Sequence, residues 1–393
     1  MPDLTVSYTD NATLGYGRMG IKVVEAVAAK GVTIHPERSK TNVAAWFAFP
    51  SHAHGWWEGQ RTVAMTMWEA TRLPEGFRSL FHEFDVICVP SEQNVDLFAQ
   101  YHDNVRLVYL GIDPEDWHFV ARRPPKREFV FLCGGSGARK GTDLAFRAFV
   151  DLFGRGDFDP QPRLILKSPK GVEHTHERVE TITGKLSARD EIALYRRSHC
   201  YLQPSRGEGF GMQPLQAIAQ GLPTILTDAH GHKAFAKLGW PVQADLVPAG
   251  KFIFGEAGEW WEPDYDELCE QMLDVYSDYP GACTAARLAA ASVATTFTWA
   301  HTADAFMDAI GRDELDKPYS GSGEWHTPCE RLFRARTTKD LLGPERAVHV
   351  NDRTFEFRKG EDQMVPADVK RMLYDAGYLD PECVDEKRIL ALA

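Results

Sequence analysis

The densest chemistry in the chain is a run of small residues around one acid. It reads Pro204-Ser205-Arg206-Gly207-Glu208-Gly209-Phe210-Gly211-Met212-Gln213-Pro214-Leu215-Gln216 and continues to Ala217-Ile218-Ala219-Gln220-Gly221-Leu222-Pro223-Thr224. The run falls where an apolar strand ends and a helix begins. Glycines at such a junction let a ligand reach the main chain, and the unpaired N–H groups of a helix N-terminus attract an anion. Glu208 at that mouth is a carboxylate suited to gripping hydroxyls. A phosphate and hydroxyls held in one pocket describe a nucleotide sugar. The plainer reading is turn chemistry with an acid on the surface.

The flanking elements have the order that such a site needs. Residues 4–9 alternate as a strand, Gly15-Tyr16-Gly17-Arg18 follow as a loop, and 21–29 read as a helix, which is how a Rossmann-like unit opens. Further strands are expected at 42–49, 62–67, 84–89 and 105–110, with Ser91 as the N-cap of a helix. Arg122-Arg123-Pro124-Pro125-Lys126 marks a break. A second series then runs through a strand at 129–133, the loop Gly134-Gly135-Ser136-Gly137 and a helix at 142–153. Strand 163–167, helix 188–197, strand 200–203, helix 213–220 and strand 224–227 follow. Repeated strand–helix units imply parallel sheets, and two series imply two doubly wound domains. Helices are expected at 268–276, 285–295 and 298–310. Residues 319–324 look like a linker, 347–350 and 354–358 like a hairpin, and 366–376 like a helix.

Composition narrows the class. The 393 residues fit two Rossmann-sized domains plus an extension, and 44% hydrophobic with 25% charged residues is ordinary for a globular chain. A net charge of −12 argues against strong non-specific binding to nucleic acid or anionic membrane. No run of about 18 apolar residues occurs, so no membrane span is expected. Met1-Pro2-Asp3-Leu4 carries no basic segment leading into an apolar one, so no signal peptide is expected. The 7 cysteines are scattered without Cys-x-x-Cys spacing, which suits buried thiols in a reducing compartment, the cytoplasm by default.

The Glu208 run resembles the signature of family 4 retaining glycosyltransferases, in which a glutamate, a Gly-Phe-Gly and a second glutamate precede Ala-x-Ala-x-Gly-x-Pro. Other segments match in order: Met67-Trp68-Glu69-Ala70-Thr71-Arg72-Leu73-Pro74 with Asp85-Val86-Ile87-Cys88-Val89-Pro90-Ser91, then Val108-Tyr109-Leu110-Gly111-Ile112-Asp113, Arg139-Lys140-Gly141 and Phe297-Thr298-Trp299. The resemblance spans about residues 1–315. It implies an α/β chain of the GT-B type, two Rossmann-like domains facing a cleft. Residues 1–122 would form the acceptor side, 123–318 the nucleotide-sugar side with a final crossing helix, and 319–393 a small C-terminal extension. Lys140 and Arg139 would neutralise the donor diphosphate, and Glu208 would hold sugar hydroxyls. Gly209, Phe210, Gly211 and Met212 would present main-chain N–H groups. Gly135 would lie in the phosphate loop, the 183–186 loop with Lys185 would lie against the base, and Gly15, Tyr16, Gly17 and Arg18 would close the cleft. The donor would be linked to UDP or GDP, and no cofactor is implied.

The chain departs from the family pattern at three places. Gln216 stands for the second glutamate and can still bond ribose hydroxyls without charge. The arginine expected some six residues before the lysine falls at Gly134, so either Arg139 or Arg206 would replace it. Trp68-Glu69 stands where many relatives have His-Asp, and His52 or His54 could fill that space on the acceptor side. Trp57, beside Trp56 in a glycine-bounded loop, is a further acceptor candidate. His174-Thr175-His176 and His230-Gly231-His232 lack a carboxylate or cysteine set at ligand spacing, so they read as polar loop histidines and no metal is expected.

These features point to hexose transfer from a nucleotide-diphosphate sugar to an acceptor hydroxyl, with retention as the family implies. The acceptor is left open between protein, glycan and modified nucleobase. The tail resembles small C-terminal extensions on some bacteriophage proteins, which favours a virion-protein or DNA-base acceptor. A non-catalytic binding protein on the same fold is the alternative, and Gln216 and Trp68 favour it.

Overall fold

The computed structural model describes residues 2–8, 15–47, 55–73, 81–168, 175–252 and 255–326, with short strands at 333–335, 347–350, 353–356 and 363–365. Among these, two parallel sheets of six strands form. The first contains β1 (Asp3–Tyr8), β2 (Thr33–His35), β3 (Val43–Phe47), β5 (Arg61–Met65), β6 (Val86–Val89) and β7 (Val105–Leu107), in the order β2-β1-β3-β5-β6-β7. The short strand β4 (Trp56–Trp57) lies outside it. The second contains β8 (Glu128–Gly134), β9 (Gln161–Lys167), β10 (Val179–Ile182), β11 (Cys200–Gln203), β12 (Thr224–Thr227) and β13 (Trp240–Val242), in the order β10-β9-β8-β11-β12-β13.

Strand order reverses between β1 and β3 in one sheet and between β8 and β11 in the other. In open α/β sheets the crevice at such a switch point, beyond the strands' carboxyl ends, is where ligands bind. Strand interiors are apolar on both faces, as parallel sheets covered by helices require. Phe129, Phe131, Leu132 and Cys133 of β8, for example, are all fully buried.

Helix α1 spans Gly15–Ala29, so Gly15 to Arg18, expected as a loop, form its first turn. The reason is packing. Gly15 and Gly17 lack the positive φ that a glycine loop would use, and a Cβ on Gly20 would sit 2.8 Å from that of Tyr8. Gly20 thus lets α1 lie close against the sheet, whereas nothing crowds Gly15. Helix α2 (Glu92–Phe98) is capped by Ser91, whose Oγ accepts from Asn94 N–H. Helices α3 (Thr142–Phe153), α4 (Ala188–Arg197) and α5 (Met212–Ala219) follow β8, β10 and β11.

After α6 (Tyr265–Ser277) and α7 (Tyr279–Thr296), helix α8 (Trp299–Ile310) returns to the first sheet's side. Phe306 packs on Phe47 with ring centroids 5.4 Å apart, and Lys30 pairs with Asp304 at 2.6 Å. Ile112 forms a parallel bridge with Thr298, the α8 N-cap.

Several strands had no clear sequence signal. β10 is a short edge strand of two apolar and two polar residues, β13 carries Pro241, which only an edge tolerates, and Ala244–Pro248 pairs antiparallel with Glu259–Pro263. Trp56–Trp57, expected as a loop, pairs antiparallel with Trp325–His326. Trp57 meets the Trp325 ring at 5.0 Å, and its indole N–H donates to Arg38 O. Ala347–Val350 pairs antiparallel with Arg353–Glu356. The helix expected at 366–376 lies outside the described residues.

Candidate functional site

The two switch points face one crevice of about 360 Å³, within the size range of small-molecule sites. The first domain supplies Gly15, Tyr16 and Arg18 from the start of α1, Met67 and Glu69 after β5, and Leu110. The second supplies Arg139 and Lys140 before α3, Gln203 at the end of β11, and Glu208 to Pro214.

Two glycines shape the loop that carries the lysine. Gly141 has φ +69°, and a side chain there would run into Pro204 O. Gly135 has φ +124°, and a Cβ would sit 2.6 Å from Lys140 Cγ. The lysine stem therefore lies across Gly135 and is aimed into the crevice.

Glu208 is the centre of charge. Lys140 Nζ lies 2.5 Å from its Oε1 and Arg139 Nη1 3.5 Å from its Oε2, and Ser205 Oγ donates to Oε1 at 3.1 Å. Burial works to raise the Glu208 pKa, but Lys140 and Arg139 outweigh it and hold the carboxyl well below the ordinary carboxylate range. Burial lowers the Lys140 ammonium more than Glu208 raises it. Arg139 also donates to Gly207 O at 2.5 Å, and its Nη2 lies 3.7 Å from Glu69 Oε1 across the cleft.

The choice between Arg139 and Arg206 is resolved by their partners. Arg206 is buried and bonds Asp143 through two contacts of 2.9 Å, as well as Glu262 and Ala138 O. It ties the loop to α3 and to the hairpin strand Glu259–Pro263, and Arg139 is the arginine in the crevice. Gly134 has no room for an arginine. A Cβ there would sit 2.8 Å from the Tyr201 hydroxyl and 3.4 Å from Gln213 Nε2.

Gly207 and Gly209 serve the first domain as well as any ligand. A side chain on Gly207 would strike Glu69 O, and one on Gly209 would strike the Met67 side chain. The segment 67–69 thus presses on the acid's loop. Gly211, at φ +101°, is the N-cap of α5 and leaves no room for a side chain beside His232. Its geometry presents the N–H groups of Met212 and Gln213 to the crevice. Phe210 is buried among Tyr109, Phe235 and Phe297, so main chain is what this residue can offer a ligand.

Other expected residues lie elsewhere. Gly17 is buried in α1 and Lys185 is exposed on the turn after β10. Gln216 is buried in α5, and its Oε1 has no partner among the described residues. Trp68 is 1% exposed, and its main chain exchanges hydrogen bonds with the Asn94 side chain at 2.7 and 2.8 Å. It is a core residue of the first domain and does not line the crevice as an acceptor contact. Trp57, held under Trp325, is also absent from that lining. His52 and His54 lie outside the described residues.

His230 and His232, expected in a polar loop, are buried at 3% and 0% exposure. Their turn braces the acid's loop: His230 Nε2 bonds Ser205 O at 2.9 Å, and Gly231 N–H donates to Glu208 O at 2.9 Å. His230 holds φ +44°, a costly conformation for a side-chain-bearing residue. Among the described residues no three His, Cys, Asp or Glu side chains cluster as a metal site. Sequence reading missed Met67, Leu110, Gln203 and Gln213. Gln203, a polar residue ending an apolar strand, was a usable signal, and Gln213 adjoins the motif. Met67 and Leu110 lie in segments that resemble the family but have no reactive group to single them out.

The chain is similar in sequence and in fold to several known proteins. The D-inositol 3-phosphate glycosyltransferase of Mycolicibacterium smegmatis is 24% identical over 292 residues, 69% of this chain and 57% of that protein. The putative glycosyltransferase 41 of Sulfolobus islandicus filamentous virus is 45% identical over 51 residues, 13% of this chain and 16% of that protein. The matches therefore span less than two thirds of these relatives' lengths. Sucrose-phosphate synthase from Thermosynechococcus elongatus superposes with a TM-score of 0.59 at 13% identity, covering 80% of this chain and 99% of that one. Anabaena HepE in complex with UDP and glucose gives 0.55 at 11% identity, covering 79% of this chain and 100% of that one. The architecture is the two-domain α/β GT-B fold. Residues 92–306, more than half of the chain, match the family model described as Family 4 Glycosyltransferase in conflict systems, and the chain belongs to that family.

Proposed function

We propose that the chain transfers a hexose from a UDP- or GDP-linked sugar to an acceptor hydroxyl, with retention of anomeric configuration. The observation that carries this reading is the Lys140–Glu208–Arg139 cluster at the N-terminus of α5. The donor diphosphate rests against Lys140, Arg139 and the α5 amides, and Glu208 accepts hydrogen bonds from sugar hydroxyls. As the bond to the anomeric carbon breaks, charge builds on the leaving phosphate where these donors already point, and preorganised donors of this kind are effective catalysts. Their placement supports a reaction that needs no metal. Glu208, held by two cations and Ser205, is poorly placed to act as a nucleophile. The leaving phosphate itself then takes the acceptor's proton, and the new bond forms on the face that the old one leaves.

HepE was solved with UDP and glucose, which supports a nucleotide sugar as donor here. The viral relative fits work in the cytoplasm, a host's cytoplasm if the chain is viral. No helix among the described residues is long and apolar enough to cross a membrane. The acceptor is a protein, glycan or nucleobase hydroxyl or its equivalent. The partnerless Oε1 of Gln216 favours a second reading, a donor-binding protein without turnover. A thermal-shift panel of UDP, GDP, ADP and their hexose conjugates, followed by magnetic resonance of fresh product, tests the proposal. Stabilisation by one conjugate with slow donor hydrolysis and a retained anomer is expected. Binding without hydrolysis selects the second reading, and an inverted anomer refutes retention.

A further inference from the structure

The crevice carries an acid that donor binding does not require. Among the described residues three cations line it, Arg18, Arg139 and Lys140, against two carboxylates, Glu69 and Glu208. Glu208 is fixed by short contacts from its own domain, whereas Glu69 comes from the other domain and reaches Arg139 at 3.7 Å, beyond hydrogen-bond distance. Arg139 Nη1 is occupied by Gly207 O, so Nη2 is the face turned to Glu69. The Glu69 main chain abuts Gly207, so the carboxylate is anchored at this spot whenever the two domains meet there.

We propose that Glu69 is a positioning residue that competes with the donor's diphosphate for Arg139 and so drives release of the nucleoside diphosphate product. This rests on the donor site proposed above. When the crevice is empty, Glu69 offsets the charge of Arg139 and keeps the guanidinium pointed across the cleft. When the diphosphate is bound, Glu69 is a like charge beside it, and this repulsion weakens product binding. After the glycosyl group has left, Arg139 returns to Glu69 as the diphosphate departs. No bond to Glu69 forms or breaks.

The test is titration calorimetry of UDP and of GDP into the full chain and its Glu69→Gln variant, with steady-state kinetics on both. Glu69→Gln keeps the shape and removes the charge. The nucleoside diphosphate that the wild type binds should bind about tenfold tighter to the variant. The gain should shrink as salt is raised. Donor KM should fall, and kcat should fall with it as product release slows. A merely structural Glu69 would give weaker binding on substitution, so unchanged or weakened affinity in the variant overturns the proposal. Failure of the wild type to bind either diphosphate would instead overturn the donor site itself, and the competition proposal with it.

Discussion

At the scale of single residues, the site depends on charges that are costly to separate. Lys140 and Arg139 are partly shielded from water beside a carboxylate that stays ionised because of them. Removing one partner leaves a poorly compensated charge. Lys140→Ala should lower kcat by about 10²- to 10³-fold, the usual loss when a preorganised donor to developing charge is deleted. Glu208→Ala should abolish measurable transfer and weaken donor binding read by calorimetry, because the sugar loses its grip. Both variants should keep their far-ultraviolet circular dichroism. Steady-state assays check the rates, and full activity in either variant would displace the site from this crevice. The sequence showed Glu208 and Lys140 plainly, since an acid among glycines and a lysine after a glycine loop are local patterns. It left Arg139 and Arg206 equal, because the difference lies in Asp143 and Glu262, distant in sequence, which occupy Arg206.

Elements place these residues through close approaches that only glycine allows. The loop 207–209 bears on the segment 67–69 of the other domain. Gly207→Ala should therefore act as a wedge at the domain contact, costing about 1–3 kcal/mol as overpacking does. Each sheet should stay intact while donor KM rises. Calorimetric unfolding that separates into two transitions, where the parent shows closer coupling, would mark the loosened contact; unchanged KM would count against it. Helix and strand positions around this loop were legible because local signals agreed. Thr142–Phe153, Ala188–Arg197, Cys200–Gln203 and Thr224–Thr227 appear with the expected limits; Ser91 caps its helix as expected, and Thr298, expected as the first helical residue, is the cap. What misled was glycine with two uses. Gly15 and Gly17 read as a loop but open helix α1, and nothing local distinguishes the two. Trp56–Trp57 has no strand signal of its own, because its partner arrives some 270 residues later.

For the molecule as a whole, burial of imidazoles sets the response to acid. Burial lowers His199 and His230 to about 4, with Arg122 adding to the effect at His199, and burial also depresses His232. Each stays neutral in the folded chain, while the unfolded chain protonates near pH 6.5. Their contribution to stability is therefore complete above about pH 6.5 and is lost progressively as pH falls toward about 4. The Glu208 contribution has the same direction but begins to fall away only below about pH 4.3, its unfolded value. Denaturant midpoints measured across this range should fall before carboxylates titrate, and the fall should be shallower in His230→Asn. A midpoint flat from about pH 7 to 5 would show that these rings reach water.

The pairing of Trp325–His326 with Trp56–Trp57 also bears on how the chain is made. Translation proceeds from the N-terminus, and early domains ordinarily fold as they emerge. Here the edge at Trp57 and the flank of α1 receive their covers, Trp325 and helix Trp299–Ile310, only from segments made after the whole second sheet. On the ribosome the leading half is thus an unfinished body with bare indole and aliphatic surface, maturing only when the trailing half docks.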